Sequence, residues 1–259
     1  MKLDKSLKVL WFVNGIFILL LVSYGLFRSI QDLFPEDYDY DDNEVMMGQR
    51  LESAKSKGLA LQGLTYTAPE RVYNSDHRFM TLSATTYEES KMLLGAISAA
   101  GDISPSMYGI ANIVFLDGDY KVINTLLDRK ADIRNWRSAS PDYNLEKGKV
   151  DTTVKNIVYE IAFEDSNKDG YLNSRDHHDI YISGLLGEDL TQVTRGIDIE
   201  RFHFHEWNSK LFITYFERTD EAQEHKRKKF AIYTIATKEL RLLEDLNEAI
   251  DKLESQLVN

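Results

Sequence analysis

The sequence predicts a mainly β protein: antiparallel sheets assembled from repeated strand units, with a transmembrane helix at the N-terminus and an amphipathic helix at the C-terminus. Three observations carry that reading. One uncharged apolar run stands near the start, short β-branched and aromatic runs recur between Gly, Asp and Asn turns, and helical leucine spacing appears only at the end. With 43% hydrophobic and 28% charged residues, most of the 259-residue chain is expected to be globular. The formal charge is −11, and an acidic body of this kind repels phosphates, which argues against a nucleic-acid partner. There is no cysteine, so disulfides, thiolate nucleophiles and cysteine metal sites are excluded.

Residues 1–8 read as a short cytoplasmic segment and residues 9–27 as a membrane anchor. Val9 to Phe27 are nineteen residues without a charge, thirteen of them Val, Leu, Ile or Phe, interrupted by Asn14 as the one strongly polar residue. That is long enough to span a bilayer as a helix. The competing reading, a cleaved signal peptide, is disfavoured by the length of the run and by the lack of a small-x-small site after Phe27. Lys2, Lys5 and Lys8 precede the span, whereas seven acids and no base fill residues 32–44. The positive-inside rule therefore places the N-terminus in the cytoplasm and the body in the periplasm or outside the cell. No Asn-x-Ser/Thr sequon occurs, which favours a bacterial envelope and the cytoplasmic (inner) membrane as the location. Residues 28–60 form an acidic, solvated linker followed by a short helical segment, EVMMGQRLESAKSKG, that stops at Gly58.

Residues 61–241 read as the extracytoplasmic β-domain. Strands are predicted at FMTLSATTY (79–87), NIVFLD (112–117), IVYEIAF (157–163), DIYIS (179–183), FHF (202–204), LFITYF (211–216) and FAIYTI (230–235). Two of these units repeat. Phe163 and Glu164 align with Phe216 and Glu217 at an offset of 53, and Ile180 aligns with Ile232 at an offset of 52. An earlier unit combines 79–87 with the hairpin 112–127, and the polar stretch 128–149 is expected to be an insertion. The hairpin DIYISGLLGEDLTQVT resembles the blades of TolB-like β-propellers, in which an Ile-Tyr strand, a Gly-Asp turn and a Leu-Thr ending recur. That resemblance implies propeller-like or partial-propeller sheets. Closure usually takes at least four blades and three units are found, so either a degenerate blade lies around 60–90 or the ring is open. An antiparallel sandwich remains the alternative. Residues 242–259 form the C-terminal helix, with Leu240, Leu243, Leu246, Ile250, Leu253 and Leu257 on one apolar face that packs on the sheet or pairs with a partner.

One loop carries chemistry. DSNKDGYLNSRD, residues 165–176, has oxygen-bearing groups at every ligand position of an EF-hand-type calcium loop: Asp165, Asn167, Asp169, the Tyr171 carbonyl, Asn173 and Asp176, with Gly170 at the turn. Alternate residues of so tight a loop point inward and surround a hard cation, so Ca2+ is the expected cofactor. Asp176 replaces the usual bidentate Glu, a choice that resembles dockerin loops. Strands flank the loop, which removes any helix pair that calcium could open. The competing reading is a polar turn whose Asp, Asn and Gly serve backbone geometry alone.

His177, His178, His203 and His205 lack a diagnostic third zinc ligand, and EHKRKK (224–229) reads as a solvated hairpin tip. No GxSxG, GxxxxGK[ST] or GxGxxG motif is present, so no catalytic residue is assigned and the chain is not expected to be an enzyme. The expected function is a membrane-anchored, calcium-binding β-domain that binds or scaffolds in the cell envelope through an unidentified protein partner. The alternatives are an envelope hydrolase with an acidic propeller-type pocket, or a regulatory anchor whose C-terminal helix binds a partner.

Overall fold

The computed structural model describes residues 45–57, 62–86, 110–139, 150–219 and 227–258, together with Ile16. The described residues other than Ile16 belong to one compact unit, 41–259. The predicted anchor, apart from Ile16, lies outside them, as do the basic N-terminus and the acidic stretch 32–44. Among the described residues no helix is long and apolar enough to cross a membrane.

In chain order the elements are β1 (Val45–Met46), α1 (Gly48–Ser56), β2 (Gln62–Tyr66), β3 (Glu70–Arg71), β4 (Arg78–Thr86), β5 (Asn112–Leu116) and β6 (Val122–Thr125). There follow β7 (Asp132–Ser138), β8 (Asn156–Ala162), β9 (Tyr171–Leu172), β10 (Asp179–Gly184) and β11 (Thr191–Gln192). The last group is β12 (Ile197–His205), β13 (Lys210–Glu217), β14 (Lys229–Thr234), β15 (Glu239–Leu242) and α2 (Glu244–Val258). The described strands make a mainly β fold of four antiparallel sheets. The first runs β2-β4-β5-β6, with β3 also on β4, the second β7-β8-β10-β11 and the third β12-β13-β14-β15. A small fourth sheet joins β1 to β9. The second and third sheets are sequential meanders in which β8 and β13 occupy equivalent places, as do β10 and β14. That is the layout expected from the 52- and 53-residue offsets. The described sheets form no closed propeller.

The alternation of side chains along the strands packs the three large sheets in series. From β8, Ile157, Tyr159 and Ile161 join Phe79, Ile113, Phe115 and Ile133 in a core between the first and second sheets. Val158, between them in sequence, faces the other way with Ile180 and Ile182 of β10 and meets Phe202, Leu211, Ile213 and Ala231 of the third sheet. The second sheet is thus covered on both faces, which is why NIVYEIA is almost continuously buried despite lying in an antiparallel ladder. Its one charged residue, Glu160, is buried against Arg134, which bonds it through Nε at 3.0 Å, and accepts a further bond from Asn135 at 3.1 Å. Burial of a carboxylate is tolerable only with such partners. Gly187, at φ 77°, brings the turn after β10 against the first sheet: a Cβ there would lie 2.4 Å from the Phe115 ring.

Three expectations are corrected. The stretch 128–149 is not wholly an insertion, because β7 lies within it and pairs with β8 along most of its length. Its residues alternate poorly, with a bulge between Ile133 and Asn135 and a buried aspartate at its head. Residues 62–86 do not form a separate blade either, since β2 and β4 share the first sheet with β5 and β6. Leu240 lies in β15 opposite Tyr233, so the helical face begins beyond it.

Candidate calcium loop

The loop joining β8 to β10 is shaped by its own side-chain oxygens. Asp165 accepts the amide hydrogens of Asp169 (3.1 Å) and Gly170 (2.9 Å). Asn167 Oδ1 also accepts from Asp169 (2.9 Å), and Asp169 Oδ1 accepts from Tyr171 (2.8 Å). Each is a short polar side chain folding back onto the backbone a few residues ahead, the habit that makes Asp and Asn turn formers. Lys168 and Gly170 take left-handed conformations at φ 61° and 90°, which coil the segment tightly enough for these bonds. Asp176 closes the loop from the far end: its Oδ1 accepts from the Ser166 amide (2.7 Å) and hydroxyl (3.1 Å) and from the Asn167 amide (3.3 Å), while Oδ2 accepts from the Asn173 amide (2.9 Å).

Asp165, Asn167, Asp169 and Asp176 are therefore all directed at the backbone between residues 166 and 173. Tyr171 lies in β9, with the Arg50 guanidinium 4.1 Å from its ring centroid. Asn173 differs from the other predicted ligands. It is buried, its Oδ1 accepts the Arg175 amide hydrogen at 3.0 Å, and its Nδ2 has no partner among the described residues. Among the described residues no three His, Asp or Glu side chains form a metal-holding cluster. Any ion here would rely on amide and carbonyl oxygens besides the aspartates.

Anchors absent from the sequence reading hold the loop to the body. Val45 and Met46 pair with Leu172 and Tyr171, and the Met47 amide donates to the Gly170 carbonyl at 3.0 Å. Val45 and Leu172 then pack with Ala84 and Ala162 in a small core of their own. On the other side His178 is buried, with Nδ1 2.8 Å from the Asp176 carbonyl oxygen and Nε2 2.8 Å from Asp132 Oδ2 on β7. A carbonyl oxygen only accepts, so Nδ1 carries a hydrogen, and a second proton must lie between Nε2 and the carboxylate. His178 thus bonds the end of the loop to the first strand of the second sheet. Of the other histidines singled out from the sequence, His177 faces Asp198 at 3.4 Å, and the His203 and His205 rings are 6.3 Å apart on β12.

Comparison with known proteins returns no matching family model, no matching curated protein and no matching solved structure.

Proposed function

We propose that the chain is a membrane-anchored, extracytoplasmic β protein of the cell envelope whose 165–176 loop binds one structural Ca2+. Its sheets, whose hairpin DIYISGLLGEDLTQVT resembles in sequence the blades of TolB-like propellers, serve binding or scaffolding. The observation that carries the calcium reading is the convergence of Asp165, Asn167, Asp169 and Asp176 on one short run of backbone. The donor chemistry fits a hard cation, being carboxylate, amide and carbonyl oxygen without thiolate. An ion would also offset the repulsion of three aspartates held within one loop.

For calcium at about 1 mM and a dissociation constant on the order of 10 μM, linkage stabilises the native state by about 2.7 kcal/mol. The test is a thermal melt of the full-length chain in detergent with chelator, with calcium and with magnesium. Calcium is expected to raise the wild-type Tm by several degrees and to leave Asp169→Ala unmoved; equal wild-type Tm values with chelator and calcium would sink the assignment. The topology is tested by adding protease outside the cytoplasmic membrane, where protection of residues 45–259 would overturn it.

A second reading, partner binding through the C-terminal helix, is favoured by the exposure of its apolar stripe: Leu246, Leu253 and Leu257 are 39%, 58% and 86% exposed. A crosslink from the helix to a second protein in intact cells, lost in Leu253→Asp, is the expected result.

A further inference from the structure

We propose that a cavity beside the first and second sheets binds a small ligand with an apolar body and a single carboxylate, which Arg129 receives. The cavity measures about 600 Å³ and is formed where the β6–β7 connection faces the ends of β8, β10 and β11. Its walls include Leu126, Phe163 and Leu190, and its polar groups include Asp128, Arg129 and Tyr181. Apolar side chains thus share the walls with a comparable polar surface, a lining that suits a ligand with both an apolar and a charged part.

Arg129 is the deciding residue. Its guanidinium lies 3.8 Å from the centroid of the Phe163 ring, and Phe163 in turn meets Tyr181 edge-on at 5.4 Å. The stack holds the planar group in place without using its N–H donors. Arg50 and Arg78 also lie over tyrosine rings, at 4.1 and 4.4 Å, but each donates to backbone carbonyls: Arg50 to Asp169, Arg78 to Asp76 and Gly118. Arg129 has neither a carboxylate nor a carbonyl partner among the described residues. A preset guanidinium fork with unused donors is matched to a carboxylate.

Tyr181 adds a second donor. Its hydroxyl makes no hydrogen bond to the described residues, and burial, with Asp179 adding to it, raises its pKa and keeps the phenol protonated at neutral pH. Asp128, also unpaired, limits the ligand's charge, because a dianion would meet this carboxylate as well as Arg129. The argument uses none of the calcium-loop residues, so it stands apart from the calcium reading.

The test is calorimetric titration of full-length protein with 4-phenylbutyrate, using its neutral isostere 4-phenylbutyramide and an Arg129→Gln variant, each against a detergent blank. The acid is expected to bind saturably and the amide about tenfold more weakly, as loss of a charge-assisted hydrogen bond implies. Arg129→Gln should weaken the acid to the level of the amide while melting like wild type, since Arg129 is exposed. No saturable binding of the acid, equal affinity for acid and amide, or an unchanged affinity in Arg129→Gln would each overturn the proposal.

Discussion

Replacing Asp132 by Ala removes the carboxylate that faces His178 Nε2 at 2.8 Å while leaving the imidazole buried. The Nδ1 hydrogen remains committed to the Asp176 carbonyl, so the ring keeps its tautomer and Nε2 loses its partner. Breaking one side of a buried, hydrogen-bonded pair costs about 3 kcal/mol or more. In a folded unit of this size each kcal/mol moves Tm by about 2–4 °C, so Asp132→Ala should melt about 6–12 °C below wild type. Asp132→Asn is the discriminating control. Its amide can donate to the neutral ring nitrogen, so only the charge is lost, and the cost should be about 1 kcal/mol. The assay is circular dichroism of the full-length chain in detergent, following the β signal with temperature. If Asp132→Ala melted within about 2 °C of wild type, or if Asn were no better than Ala, the bond would not be holding the loop to the second sheet.

Further substitutions test the packing and electrostatics. Gly187→Ala combines a left-handed backbone with a Cβ only 2.4 Å from the Phe115 ring, and should cost about 3 kcal/mol in a denaturant titration. Leu253→Asp changes a residue that is 58% exposed, and should leave the melt within about 1 °C of wild type even if it abolishes partner capture. Asn247→Ala, by contrast, removes the Oδ1 that accepts the Phe230 amide hydrogen at 2.9 Å, and should cost about 1 kcal/mol by detaching the first turns of α2 from β14. Burial raises the pKa of Asp179 against the opposing pull of Arg218, so the protonated form is favoured by folding. Its contribution is present below the ordinary carboxylate pKa and is lost as pH rises through the raised value. The stability difference between wild type and Asp179→Asn should therefore shift against wild type across that window, as read by melts at stepped pH.

The strands that could be read from sequence are those whose environment is mostly apolar. β8, β10, β13 and β14 carry runs of β-branched and aromatic residues whose burial needs no polar partner, Glu160 of β8 excepted, and their repeat is visible for the same reason. β7 could not be read this way. Asp132 at its head is buried only because His178, 46 residues later, meets it, and a bulge then breaks the alternation. His178 carries no local signal of its burial, being one of two adjacent histidines directly after the loop. Within the loop, the contacts of Asp165, Asn167 and Asp169 reach only two to five residues along the chain, so the motif displayed them. The pairing of Val45 and Met46 with β9 spans more than a hundred residues, and two residues of strand leave no periodic signal.

That two-residue ladder has a mechanical consequence. Residues 1–44 precede β1 covalently, so tension drawn along that segment enters the folded unit at Val45 before it reaches the large sheets. A bridge so short is the first element to peel under load, and its partner strand is part of the 165–176 loop. The Met47–Gly170 hydrogen bond and the small Val45–Leu172 core reinforce the attachment of β1 to that loop. Pulling on the segment before Val45 therefore strains the 165–176 loop before the large sheets, and the stiffness of those few bonds sets the force at which β1 peels away.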